Sequence, residues 1–207
     1  MQNEQLKSHW EQVYGAKQPT EVSWFQPVPE KSLQLIRATG VERGQAIIDA
    51  GGGASTLVDN LLAEGFTDVS VLDISANALL KSQERLGEIA GEVTWIEADV
   101  TEFTPARRYD LWHDRAVFHF LTDAADRDRY VEVVRRSLRP RGNLVLATFG
   151  PQGPMRCSGL DICRYGIEQL TDLLGADFEL QSHELDEHRT PSGSVQQFLY
   201  SWWQSNH

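Results

Sequence analysis

Ile47-Ile48-Asp49-Ala50-Gly51-Gly52-Gly53-Ala54-Ser55 is the stretch from which the rest of the chain can be placed. It has the composition of a buried strand that runs into a glycine turn and then a helix. Glycine has no Cβ, so Gly51, Gly52 and Gly53 can take positive φ and let a ligand lie against bare backbone. The first amides of the next helix then point outward. Asp49 narrows the choice of ligand. An acid just ahead of the first glycine repels a pyrophosphate and suits a cation such as an ammonium, which tilts the reading away from a dinucleotide.

Outward from this turn the apolar pattern alternates strand and helix. It predicts strands over 46–50, 69–73, 93–98, 109–113 and 143–149, and helices over 56–64, 75–86 and 126–138. Ser75 is a natural N-cap, and Pro140-Arg141-Gly142 ends the last helix. Short apolar runs of this kind fit a parallel sheet covered on both faces, wound as right-handed βαβ units. Upstream, Leu6, Trp10, Val13 and Tyr14 mark one face of a helix over 4–14. The prolines of Trp24-Phe25-Gln26-Pro27-Val28-Pro29 make an extended linker, followed by a helix that stops near Gly40. Downstream come a loop over 150–165, a short helix carrying Ile167, Leu170, Leu173 and Leu174, and an antiparallel hairpin of strands 178–185 and 195–202. The expected fold is α/β and doubly wound: seven strands, mostly parallel with an antiparallel last strand, helices on both faces, and an N-terminal helical lid.

At 207 residues and 41% apolar content the chain reads as one domain, 1–207. It divides into an N-terminal segment (1–40), a core (45–150) and a substrate-side loop with the hairpin (151–207). The net charge of −11 opposes partnership with nucleic acid or an acidic membrane, which draw on clustered Lys and Arg. Residues 1–10 are polar, and no stretch approaches the roughly 20 apolar residues of a membrane span, so a cytoplasmic protein is expected. Two cysteines, Cys157 and Cys163, are too few for a disulfide framework and lack zinc-ligand spacing, and no metal is expected.

Asp73 closes the second strand twenty-two residues after Gly51, where a doubly wound fold puts the acid that binds a ribose diol. The competing reading is a strand-end cap for the next helix, a role Ser75 already fills. Asp99, at the end of the third strand, suits an exocyclic amine of a purine, or is a solvated loop acid. Together the acids at 49, 73 and 99 ring the glycine turn at the carboxyl ends of adjacent strands, where open α/β sheets bind ligands.

Asp49-Ala50-Gly51-Gly52-Gly53-Ala54-Ser55, Val71-Leu72-Asp73-Ile74, Ala98-Asp99-Val100, Tyr109-Asp110-Leu111-Trp112-His113 and Leu138-Arg139-Pro140-Arg141-Gly142 occur in that order. The series resembles the motifs of the class I S-adenosylmethionine-dependent methyltransferases over about residues 45–150. The resemblance implies a Rossmann-like sheet with a reversed last strand, S-adenosyl-L-methionine as cofactor and S-adenosyl-L-homocysteine as product. It implies that Gly51 and Gly53, with Gly52 in the same turn, contact the methionine part, with Asp49 near its ammonium. Asp73 would bind the ribose hydroxyls, Ile74 would pack on adenine, and Asp99 with Val100 would bind the adenine edge. Two departures stand out. Ser55 replaces a common third glycine, and His113-Asp114 stands where some nucleic-acid amine methyltransferases carry an Asn/Asp-Pro-Pro-Tyr/Phe motif, which speaks against a base N-methyltransferase.

Methyl transfer from a sulfonium is an in-line displacement, so the protein chiefly aligns a nucleophile and discharges its proton. His113 and Arg115, leaving the fourth strand, are the catalytic candidates. His113 orients substrate, contacts cofactor or acts as base, or else is an imidazole bonded to loop backbone. In the loop after the fifth strand, Arg156 and Arg164 match an anionic acceptor or make surface salt bridges. Cys157 is a reactive thiolate beside Arg156, a soft-metalloid ligand with Cys163, or a plain buried cysteine. Tyr165 shares this loop, and His188 either closes over the same edge or is exposed on the hairpin. Trp10, Tyr14 and Trp24 form the lid, Trp10 as packing and Trp24 above the methyl donor. The expected function is methyl transfer to a small-molecule acceptor. The rivals are a protein-lysine methyltransferase, a nicotinamide oxidoreductase, which Asp49, Asp99 and the terminal hairpin disfavour, and a module that binds the donor without turnover.

Overall fold

The computed structural model describes residues 2–207, with side chains from residue 4 onward. Its strands are β1 (Ile47–Ala50), β2 (Val69–Asp73), β3 (Val93–Glu97), β4 (Tyr109–Arg115), β5 (Leu138–Phe149), β6 (Arg156–Cys157), β7 (Leu160–Asp161), β8 (Phe178–Arg189) and β9 (Val195–Ser205). The helices are α1 (Gln2–Ala16), α2 (Glu30–Ala38), α3 (Leu57–Ala63), α4 (Ala76–Leu86), α5 (Ala124–Ser137) and α6 (Ile167–Leu174). Seven strands form one sheet in the order β3-β2-β1-β4-β5-β9-β8. The first five are parallel, and β9 runs antiparallel to both of its neighbours, as expected of the reversed last strand.

Both faces of the sheet are apolar because alternate residues of each strand point to opposite sides. Ile47 packs with Leu33, Ile36, Val58 and Leu61 of α2 and α3. Ile48 turns the other way and joins Trp112, Tyr130, Val134 and Leu170 under α5 and α6. β1 and β2 are buried along their whole length, so only their carboxyl ends reach a surface. Parallel register sets Asp49 beside Val71 on one side and His113 on the other.

The hairpin strands run on to Arg189 and Ser205, past their expected ends, and three further differences from the sequence expectation bear on the site. α5 ends at Ser137 and the chain is already extended at Leu138, so Pro140-Arg141-Gly142 lies within β5, where Arg141 takes φ 59°. The fourth strand continues to Arg115 because its pairing with β5 does, Arg115 lying opposite Ala147. The 150–165 segment holds a two-stranded hairpin, β6 and β7, turned by Ser158 and Gly159 at φ 51° and 81°. Two successive residues at positive φ match the right-handed strand twist of a two-residue turn.

Ser75 caps α4 as expected, its hydroxyl accepting from the Ala78 amide. α1 lies against the same end of α4. The Glu11 carboxylate accepts from the Ala76 amide at 2.6 Å and the Asn77 amide at 3.2 Å, filling orphan donors of the first turn. Lys7 pairs with Glu97 at the end of β3. The strap between α1 and α2 is tied down at three points. Gln26 O accepts from Thr56 Oγ1 (2.7 Å), Trp24 O from Arg115 Nη1 (2.9 Å) and Ser23 O from His188 Nε2 (2.7 Å). Among the described residues no helix is long and apolar enough to cross a membrane.

Candidate active site

The glycine turn is folded tightly over its own strand. Gly51 has φ 70°, and a Cβ there would stand 1.9 Å from Val117 Cγ2. A Cβ on Gly52 would meet Asp49 Oδ2 at 2.4 Å and Val71 Cγ1 at 2.9 Å, so that position has no room for a side chain. Asp49 lies beneath the turn, 2% exposed. Its Oδ1 accepts from His113 Nδ1 at 2.7 Å, and His113 Nε2 meets Ser32 Oγ of α2 at 2.9 Å. A carboxylate only accepts, so Nδ1 donates to Asp49.

This placement corrects the expectation for His113. The ring is turned under the glycine turn rather than toward a substrate, and both nitrogens are held by side chains rather than loop backbone. It borders a small space of about 40 Å³ beside Asp49 and Gly52, which shares Tyr14, Trp24, Gly51 and Arg115 with the lining of the main cavity.

The main cavity, of about 390 Å³, lies along the carboxyl edge of the sheet. Asp99 and Val100 after β3, Asp73 and Ile74 at the end of β2, Gly51 after β1 and Arg115 at the end of β4 line it in that order across the sheet. Phe149 and Phe198 continue the wall onto β5 and β9, Trp24 and Cys157 close one side, and Leu6, His9, Trp10 and Tyr14 of α1 form the roof.

Asp73 Oδ1 accepts the Ser75 amide at 2.8 Å. Burial raises its carboxyl from the usual carboxylate range to about 7, and the negative charges of Asp49 and Glu11 push the same way. Asp99 Oδ1 accepts from both the amide and the hydroxyl of Thr101, at 2.8 and 2.7 Å. Arg115 donates through Nε to Tyr200 Oη at 2.9 Å, with its guanidinium carbon 4.8 Å from the centre of the Phe198 ring. Burial pushes the Cys157 thiol up to about 11, which disfavours the thiolate considered from the sequence.

Four other expected substrate residues do not reach the cavity. Strand alternation in the β6–β7 hairpin sends Cys157 inward and Arg156 outward, where Arg156 pairs with Asp161 at 3.1 Å. Arg164 Nη1 donates to Gly153 O at 3.3 Å. Tyr165 is buried in the core, its ring 5.4 Å from that of Phe118. His188 is buried rather than exposed, and it anchors the strap at Ser23 instead of closing over the edge.

α1 forms part of the cavity lining. Trp10 is not mere packing: it lines the cavity, with its ring 5.2 Å from Phe120 and 5.8 Å from Trp24, both edge-on. The signal was the Leu6, Trp10, Tyr14 spacing of four, an aromatic stripe on one helix face. Asp114 stands in the sequence only as a departure from a motif, because its role appears only in three dimensions. Fully buried, it accepts from Tyr130 Oη (2.7 Å) and the amides of Val117 (2.9 Å) and Phe118 (3.2 Å). Burial raises it to about 6. These bonds hold Ala116 at φ 78° and present Ala116 and Val117 to the cavity. His119 is also buried, with burial driving it down to about 3, and its Nδ1 accepts the Phe149 amide at 3.2 Å. Among the described residues no group of three His, Cys, Asp or Glu is placed to hold a metal ion.

The family model for a methyltransferase domain matches residues 48–144. Nodulation protein S of Rhizobium fredii is 27% identical over 96 residues, covering 46% of this chain and 54% of that one, so the chain spans about half the length of this relative. Among solved structures, an S-adenosylmethionine-dependent methyltransferase from Anabaena variabilis superposes with TM-score 0.75 at 18% identity, over 97% of this chain and 95% of that one. The N-methyltransferase NodS of Bradyrhizobium japonicum, in complex with S-adenosyl-L-homocysteine, superposes with TM-score 0.71 at 15% identity, over 95% and 98%. The chain therefore carries a methyltransferase-domain match over residues 48–144 and shares the fold of the S-adenosylmethionine-dependent methyltransferases, with the acids of β2 and β3 at one cavity.

Proposed function

We propose that the chain transfers a methyl group from S-adenosylmethionine to a small-molecule acceptor bound under α1. The observation that carries this is a single cavity running from Asp99 and Asp73 past Gly51 to an aromatic chamber of Trp10, Trp24, Phe120 and Phe149. One end has the acceptors a nucleoside needs. The other is apolar and roofed, which suits a compact acceptor more than a protein chain. Support also comes from NodS, which is an N-methyltransferase.

The residues present fit the donor. Asp73 faces the cavity with a carboxyl that burial has stripped of water, and two ribose hydroxyls would restore its hydrogen bonds. Ile74 and Val100 supply apolar faces for adenine, and Asp99 accepts from its amine. Gly51 lets the methionine part approach bare backbone. When bound, S-adenosylmethionine supplies an electrophilic methyl on a sulfonium. The protein's part is then to orient the acceptor and exclude water, tasks for Trp10, Trp24 and Phe120. His113 acts through Asp49: bonded to it and to Ser32, it fixes the acid under the turn. The acidic surface supports a partner other than nucleic acid, and the cytoplasm is the compartment this reading implies.

Titration calorimetry with S-adenosylmethionine, S-adenosylhomocysteine and NAD tests the proposal. Binding of the first two and not of NAD is expected, followed by methylation in a screen of small acceptors. Binding of NAD alone would overturn it.

A further inference from the structure

Arg115 is built like a receptor whose ligand is absent from the protein itself. Its Nε donates to Tyr200 Oη and its Nη1 to Trp24 O, both at 2.9 Å, while Phe198 supports one face. The guanidinium plane is therefore fixed from three directions. The remaining nitrogen, Nη2, has no hydrogen-bond partner and is shielded from solvent, so neither protein nor bulk water satisfies it. Among the described residues no carboxylate stands within ion-pairing distance of this cation. It is also the one Lys or Arg among them that lines the main cavity. Phe198 and the Trp24 carbonyl touch it, and Phe149 and Cys157 line the same cavity, a low-dielectric setting in which an uncompensated charge is costly and an anion is strongly favoured.

The geometry points to Arg115 as a carboxylate-binding site inside the cavity, its Nη2 donating to an oxygen of the bound ligand. This inference rests on the donor reading of the cavity. Arg115 stands one strand beyond the glycine turn, on the side away from Asp73 and Asp99. An anion there lies past the ribose, at the junction of the donor's amino-acid part and the acceptor chamber. The carboxylate therefore belongs either to the methionine part of the donor or to the acceptor. Nη2 is shielded in this structure, so an oxygen reaches it only as a neighbouring side chain turns. Its surroundings offer no rival cation: His119 is held down to about 3 by burial and then by Arg115 itself, and His188 is lowered by the same two causes.

Calorimetry on the full chain tests this with three probes. These are S-adenosylhomocysteine, methylthioadenosine, which lacks the amino-acid part, and benzoate titrated into both the free protein and its S-adenosylhomocysteine complex. Arg115→Met should leave methylthioadenosine binding near wild type. It should weaken either S-adenosylhomocysteine or benzoate on the order of ten- to a hundredfold, the range for a hydrogen bond to a charged group. Loss on S-adenosylhomocysteine assigns the donor's carboxylate, and loss on benzoate the acceptor's. If Met loosens the fold, shown by loss of methylthioadenosine as well, Arg115→Lys decides, since it keeps the charge but not the second terminal nitrogen. Unchanged binding of all three probes by the folded variant would overturn the inference. Failure of wild type to bind either nucleoside would instead refute the donor reading, and benzoate with the free protein would then decide on Arg115.

Discussion

Asp73→Asn sets stability against function at one atom pair. In the native chain burial lifts this carboxyl from 3.8 to about 7. The folded protein then keeps a proton that the unfolded chain releases, so the contribution of Asp73 to stability falls as pH rises from about 4 to 7 and is level above that. Between pH 5 and pH 8 about two units of this shift are felt, on the order of 3 kcal/mol at roughly 1.4 kcal/mol per unit. Asn has the same shape, still accepts the Ser75 amide and does not ionise. Ligand-free Asp73→Asn should therefore gain on wild type by on the order of 3 kcal/mol between pH 5 and pH 8. Donor binding should move the other way. Ribose hydroxyls favour the ionised acid, so wild-type affinity for S-adenosylhomocysteine falls about tenfold per unit below pH 7, and the variant binds about 1.5–3 kcal/mol more weakly at pH 8. Urea unfolding followed by circular dichroism at both pH values, with calorimetry alongside, reads the two effects. A stability gap that does not change with pH would refute the claim that Asp73 is penalised by burial. An unchanged affinity would remove the ribose assignment.

His113→Phe should destabilise the fold by about 2–5 kcal/mol, because it leaves Asp49 and the Ser32 hydroxyl buried without a partner. Wild-type urea stability together with lost turnover would return His113 to the catalytic step. Glu11→Gln should weaken the docking of α1 on α4 by about 1 kcal/mol, the worth of a charged cap, and speed hydrogen exchange in α1 several-fold. Exchange at the wild-type rate would mean that the aromatic roof alone holds the helix. Cys157, pushed up to about 11, should react with iodoacetamide at pH 8 on the order of a hundredfold more slowly than an ordinary thiol, and mass spectrometry of the alkylated peptides would expose any faster reaction.

The sheet was readable because its signals are local. Continuous apolar runs, the glycine turn and Ser75 each act within a few residues, and the predicted strands 69–73 and 93–98 fall within a residue of the observed ones. The acids at 49, 73 and 99 could be placed at one edge for the same reason: a strand's carboxyl end is a position in sequence as well as in space. The acceptor side was less legible. Arg156, Cys157, Arg164 and Tyr165 share one loop, but the two-residue turn at Ser158-Gly159 sends Cys157 inward and Arg156 outward, and of these four and His188 only Cys157 lines the cavity. His113 was misjudged because its partners, Asp49 and Ser32, come from 64 and 81 residues away. No spacing rule reports such contacts.

The two walls of the cavity are fastened unequally. α1 is held at its edge by an exposed ion pair and the Glu11 cap, worth a few kcal/mol at most. The strap carrying Trp24 is stitched to α3, β4 and β8 by three bonds. On the proposed reading, α1 with Trp10 can lift from nucleoside and acceptor together while the Trp24 wall stays in place. Donor and acceptor would then enter and leave by one opening, and the pace of exchange would be set by how fast a helix rises and resettles.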